Sequence, residues 1–202
     1  MIVNDNLVVI TGGPGSGKTT LLKELEQQGF RCSHEVARQI IQEQVAANGD
    51  ALPWANTRRY TELMVARSVA AYRENTPSPE IVFMDRGIPD VACYARLIGL
   101  PFFDDLKTAC ETYRYNQIVF LAPPWKKIYV TDSERKQTYA EAVATYEKMA
   151  EVYREYGYRP IELPKTSPLQ RAAFVRAEIE ETRRRQKTTV RATPPLGTSE
   201  AD

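Results

Sequence analysis

The stretch VVITGGPGSGKTTLLKEL, residues 8–25, constrains the chain more than any other. A β-branched run, Val8 to Ile10, breaks into Gly12, Gly13, Pro14, Gly15, Ser16 and Gly17, and an amphipathic helix begins at Lys18. Glycine adopts backbone conformations that other residues resist, so such a loop can turn sharply and aim successive N–H groups into one concavity. With a helix N-terminus directly behind it, that concavity favours an anion. Gly12, Gly17, Lys18 and Thr19 fill the pattern G-x-x-x-x-G-K-[ST] between a strand and a helix, the setting it requires. The spacing predicts a nucleoside triphosphate site. The backbone from Gly12 to Thr20 cradles the phosphates, Lys18 reaches the β and γ groups, and the Thr19 hydroxyl ligates magnesium.

Alternating elements follow. Strands are expected at 7–11, 30–34, 81–85, 116–122 and 158–163, with helices at 17–28, 35–47, 56–75, 89–98, 102–113, 138–156 and 168–184. The compact apolar runs IVFMD and NQIVFLA read as strands buried on both faces. Strands separated by helices predict an α/β, three-layer fold: a parallel sheet of about five strands flanked by helices. Tyr139, Val143, Tyr146, Ala150 and Tyr153 repeat at helical spacing and are expected in the core. One domain is expected over 1–184, with a lid at about 123–140, then a polar tail over 185–202 that holds few large apolar residues. The run Arg183 to Arg185 reads as a solvated helix end, where cations suit the dipole.

Composition narrows the partners. A net charge of +1 supplies no field for nucleic acid or a membrane surface. Three scattered cysteines, Cys32, Cys93 and Cys110, suit reduced thiols in a cytoplasmic protein, and a single histidine, His34, precludes a His-rich metal site. No basic-then-apolar leader and no membrane-length apolar run is present.

A phosphate loop serves hydrolysis, switching and transfer alike, so the second acidic motif must discriminate. IVFMDRGIPD reads as a strand ending in Asp85, placed to hold magnesium beside the loop strand. Motor ATPases follow that acid with a glutamate that orients water; here Arg86 and Gly87 follow. The guanine signature N/T-K-x-D does not occur. Asp-Arg at this position is similar to nucleoside and nucleotide kinases, where the arginine contacts the acceptor or the moving phosphate; Arg86 is also readable as a buried partner of Asp85. In CSHEVARQII, Glu35 ends the second strand and Arg38 follows one turn later. Glu35 either takes the proton of an acceptor hydroxyl, with Arg38 binding charge beside it, or caps a helix and pairs with Arg38 on the surface.

In APPWKKIYVTDSERKQTYAEAV, Arg135 and Lys136 lie where related kinases carry a lid, and an arginine brought in on closure stabilises charge on the transferring group. The alternative is a solvated charged loop. Trp54, Arg58, Arg59 and Tyr60 offer ring and charge contacts for an acceptor, or core packing for Trp54 and Tyr60. Lys165 and Thr166 follow the last strand as candidate nucleotide contacts.

Together GGPGSGKTTL, HEVARQIIQEQ, GDALPW, MDRGIPD, YRYNQIVFLAPPW, TDSERKQTYAEA and GYRPIELP resemble a bacterial family labelled as predicted AAA-type ATPases, over about residues 7–180. That family is similar to nicotinamide riboside kinases and deoxynucleoside kinases. The resemblance implies ATP and Mg2+ as cofactors, Lys18, Asp85, Glu35, Arg86 and Arg135 as catalytic groups, and a small hydroxyl-bearing acceptor held by Glu35, Arg38, Trp54, Arg58 and Arg86. The alternative is a nucleotide-dependent switch with a protein partner.

Overall fold

The computed structural model of the chain describes residues 1–128 and 138–192. The phosphate-loop strand β2 (Leu7–Gly12) lies in the middle of a five-stranded, all-parallel sheet. It is flanked by β4 (Val82–Asp85) and β6 (Ile118–Ala122), with β3 (Arg31–Ser33) and β7 (Arg159–Glu162) at the edges. Because the strands are parallel, the carboxyl ends of β2, β3 and β4 open on one rim. The register places Ile10 opposite Asp85, so the phosphate loop and the acid of the second motif start from neighbouring positions.

Alternation along β2 divides the core. Val8 and Ile10 pack with α1 (Lys18–Gln27) and α7 (Pro168–Ala192) through Leu21, Leu25, Val175 and Ile179. Leu7 and Val9 face the other layer, where α3 (Thr57–Asn75), α4 (Ile88–Leu97), α5 (Asp104–Thr112) and α6 (Tyr139–Glu155) bury Tyr72, Cys93, Leu106 and Tyr153. Each such large apolar side chain contributes about 1.5–3 kcal/mol on burial. The remaining helix, α2 (Val36–Ala46), inserts Ile40 into that second cluster. The fold class read from the sequence is the one observed.

Several details differ. Val3 and Ile2 form a two-residue strand, β1, paired in parallel with β5 (Tyr113–Arg114), a pairing too short for any periodicity to announce. Helix α7 runs to Ala192 rather than ending at 184, so the first part of the expected tail is helical. Arg183 donates to Asn6 Oδ1 at 2.8 Å, and Arg185 meets Glu181 at 2.9 Å. On α6 the buried residues are Ala142, Thr145, Met149, Ala150, Val152 and Tyr153. Tyr139, Val143 and Tyr146 are therefore half-buried at the edge of the stripe, because the face that α6 docks is rotated away from the line of its tyrosines toward Thr145, Met149 and Val152. Among the described residues no helix is long and apolar enough to cross a membrane.

Candidate active site

The phosphate loop closes on itself. Lys18 Nζ donates to the carbonyls of Gly12 at 2.8 Å and Gly13 at 3.3 Å, and Ser16 Oγ donates to Gly13 O at 2.7 Å. Gly12 has φ +144°, and a Cβ there would sit 2.5 Å from Ala122 O on β6, so the motif's first glycine is required by both conformation and contact. Gly17, at φ +83°, starts α1 in the left-handed region. Burial, then the nearby Arg86 charge, push the Lys18 ammonium down to about 8. A lysine held this way gains most from an anion. Thr19 and Thr20 are exposed in the first turn of α1, and Thr20 Oγ1 donates to Gly17 O at 2.8 Å.

At the end of β4, Asp85 is largely buried, and its Oδ1 has no hydrogen-bond partner. Burial pushes its carboxyl above the ordinary range despite the attraction of Lys18. An orphaned carboxylate oxygen beside the phosphate loop fits a cation, and Thr19 with Asp85 is the small oxygen set that magnesium takes when phosphate and water complete its shell.

Arg86 adopts φ +74°, rare outside glycine, and three interactions hold it there. Its N–H donates to Ile10 O at 3.1 Å, its Nε to Glu35 Oε1 at 2.7 Å and its Nη1 to Asp90 Oδ1 at 3.2 Å. Arg86 is thus the buried partner of Glu35 and Asp90, and the expected pairing with Asp85 gives way to them. Glu35 occupies the N-cap position of α2 yet makes no capping bond; its carboxylate turns to Arg86. Burial raises the Glu35 carboxyl, but the Arg86 and Lys18 charges, the Arg86 hydrogen bond and the Arg38 charge outweigh it and leave the group below the usual range. Glu35 is therefore an ionised acceptor at neutral pH.

Asp90 is the residue that sequence reasoning passed over. Its Oδ2 accepts from Gly87 N at 2.8 Å and from Tyr153 Oη at 2.5 Å, and its Oδ1 accepts from Thr11 Oγ1 as well as from Arg86. One buried carboxylate thereby joins the loop strand, the start of α4 and helix α6. Gly87 fits closely here, since a Cβ would lie 3.0 Å from Tyr153 Oη and 3.1 Å from Val9 Cγ2 and would press on both side chains. Arg171 is a second such residue. It is 2% exposed, its Nη1 donates to Ser16 O at 2.9 Å, its Nε donates to Pro164 O at 2.8 Å, and its guanidinium lies 5.2 Å from the Trp125 ring. The only sequence signal for it was an arginine in an otherwise ordinary first turn of α7.

Beside the loop, a cavity of about 250 Å3 reaches from Pro14, Glu35 and Asp85 in among α3, α4 and α6. Tyr60 is 4% exposed on its wall, stacked edge-on against Tyr94 with centroids 5.8 Å apart. His34 is exposed at the wall, 3.7 Å from Glu26. Trp54 and Arg58, expected as acceptor contacts, are not part of the wall. Trp54 is 68% exposed in a turn that Asp50 closes by accepting from Asn56 N at 2.9 Å. On α3 the buried stripe runs through Tyr60, Met64, Ser68 and Tyr72. At about 100° per residue, Arg58 lies about 160° round the helix from Tyr60, away from the cavity wall. There it meets Glu62 at 2.6 Å and lies 4.0 Å from the Phe103 ring. Arg38 is exposed on α2, close enough for its charge to act on Glu35. Lys165 is exposed after β7, and Thr166 N donates to Pro164 O at 3.0 Å. Arg135 and Lys136 lie outside the described residues. Of the expected lid, Trp125 sits beneath Arg171, and Ile128 Cδ1 lies 3.2 Å from where a Gly17 Cβ would be.

Residues 7–171 match the family described as AAA domain. The chain belongs to that family. No curated protein matches it by sequence. Among solved structures, a NadR protein in complex with NR is similar to 81% of this AAA domain chain at 20% identity and a TM-score of 0.60. The chain spans only 45% of the length of that NadR protein. Shikimate kinase from Acinetobacter baumannii, in complex with shikimate, is similar over 87% of this chain and 93% of its own, at 16% identity and TM-score 0.53. Deoxyadenosine kinase from M. mycoides with bound dATP is similar over 86% and 99%, at 13% identity and TM-score 0.53. At such identities the likeness establishes the fold, which is that of the P-loop kinases, as the sequence resemblance implied.

Proposed function

We propose that this chain is an ATP- and magnesium-dependent phosphotransferase that moves the γ-phosphoryl group of ATP to a hydroxyl of a small, nucleoside-like acceptor. The observation that carries this reading is the cavity that starts beside the phosphate loop, with an ionised Glu35 and a buried Asp85 on its wall. A switch needs no second, largely apolar pocket there. In the reaction, a bond forms between the acceptor oxygen and the γ phosphorus, and the bond from that phosphorus to the β–γ bridging oxygen breaks, releasing ADP. Lys18 and the loop amides hold the phosphates, and Thr19 with Asp85 hold magnesium. Magnesium, when bound, neutralises charge on the β and γ oxygens. Glu35 orients the acceptor hydroxyl and takes its proton, and Arg86 holds Glu35 ionised for that task. Arg135, from the lid sequence, is assigned to the charge of the moving group. Fixed groups around the bound acceptor also limit the competition of water for the phosphoryl group.

Product-resolved turnover tests this. The protein is incubated with magnesium and ATP, with and without a cell metabolite extract, and products are followed by mass spectrometry. A phosphorylated species that requires the extract and disappears in Lys18→Ala is expected. Phosphate release at one rate regardless of extract would instead indicate the nucleotide-dependent switch.

A further inference from the structure

The charge balance of the cavity limits what its acceptor can be. Its apolar wall is formed by Tyr60, Met64, Met84, Tyr94, Tyr115 and Met149. Aromatic faces and thioethers adapt to flat rings and are compatible with positive charge. Among the described residues that line the cavity, Arg86 is the single lysine or arginine, against the carboxylates of Glu35, Asp85 and Asp90. Arg86 is already charge-paired: its Nε is on Glu35 at 2.7 Å and its Nη1 on Asp90 at 3.2 Å, within a side chain only 20% exposed. Lys18 is turned to the carbonyls of Gly12 and Gly13 and serves the phosphate loop. With Asp85 given to magnesium, the wall still holds two carboxylates against one guanidinium. Among the described residues of that wall, a carboxylate or phosphate carried on the acceptor would therefore lose its hydration and meet only a guanidinium already paired with two carboxylates.

We infer that the acceptor is an uncharged or cationic, ring-bearing alcohol, and that hydroxy acids and phosphate monoesters are excluded by charge. The inference rests on the phosphotransferase reading. The size of the cavity agrees: about 250 Å3 leaves room for a small ring system.

The experiment separates acceptors by charge. A metabolite extract is passed over a strong anion exchanger at neutral pH, and the flow-through and retained fractions are each incubated with the full chain, magnesium and ATP. A new phosphorylated product from the flow-through, absent in Lys18→Ala, is the expected result. A product only from the retained fraction overturns the charge argument and leaves the phosphotransferase standing. Product from neither fraction overturns both. A binding arm tests the cause. Glu35→Gln keeps a hydrogen-bond acceptor for Arg86 but removes a negative charge from its partners. Shikimate, a small anionic ring alcohol, is titrated calorimetrically into the wild type and Glu35→Gln. Its affinity should rise by about tenfold or more in the variant. Equal affinity, or no detectable binding to either, refutes the assignment of anion exclusion to the Glu35–Arg86 pair.

Discussion

Replacing Asp90 by asparagine tests the hub that holds the site together. The carboxylate accepts four donors: Gly87 N–H at 2.8 Å, Tyr153 O–H at 2.5 Å, Arg86 Nη1 at 3.2 Å and the Thr11 hydroxyl. Asparagine turns one acceptor oxygen into an NH2. Directed at Gly87 and Tyr153, it meets a backbone N–H that cannot turn away; directed at Thr11 and Arg86, it meets a guanidinium with no acceptor capacity. In either rotamer one buried donor is stranded, at about 1–3 kcal/mol, and the charge assistance to Arg86 is lost, at about 1.5–3 kcal/mol. A loss of about 3–5 kcal/mol is a large share of the 5–15 kcal/mol typical of domain stability. For a domain of this size that corresponds to a fall of roughly 10 °C in melting temperature. Tyr153→Phe is the calibrating variant: it removes one donor, leaves three, and should cost only about 1 kcal/mol. Urea unfolding of the three proteins at pH 7 measures both differences. An Asp90→Asn protein within about 1 kcal/mol of wild type would show that the four contacts do not act as a unit.

Three further outcomes are expected. Asp85→Asn should abolish magnesium-dependent turnover yet unfold at an equal or higher temperature than wild type at pH 7. A carboxyl with a raised folded-state pKa favours the fold below its ordinary 3.8 and loses that contribution as pH rises, so any gain from asparagine should shrink in melts at acid pH. Lys18, pushed down to about 8, must be protonated to hold phosphate, so ATP affinity should fall as pH rises past about 8. Calorimetry in buffers of different ionisation enthalpy should then detect proton uptake on binding; its absence near pH 8.5 counts against the lowered value. Arg171→Ala strips the Ser16 and Pro164 carbonyls of a buried donor. It should raise the KM for ATP more than it lowers kcat and speed hydrogen exchange in the loop amides, and unchanged exchange would dismiss the positioning role.

The elements that were legible in the sequence are those whose physics is local. A β-branched run, a glycine-rich turn and an amphipathic helix in succession leave the phosphate loop little choice, and the buried strands around Phe83 and Phe120 announce themselves by continuous apolarity. Glu35 and Arg86 were legible as strand-end residues, but their pairing across 51 positions was not. Asp90 looked like an ordinary acid in the first turn of α4. It becomes the hub only because Thr11 and Tyr153, 79 and 63 positions away, are carried to it by the sheet and by α6. Arg171 reaches Ser16 across 155 positions. Trp54 and Arg58 are the converse case: aromatic and cationic residues advertise a ligand, but neither lines the cavity once α3 and the turn before it have docked.

By itself, then, the sequence determined the order of the helices and of the five strands of the main sheet, the phosphate loop and the acid that ends the IVFMD strand, because hydrophobic period and glycine conformation act within a few residues. Only the tertiary structure decided which carboxylate holds which cation, which groups face the cavity and what charge that cavity tolerates. Electrostatics inside a protein depends on separation and burial, and neither quantity exists until the chain has closed on itself.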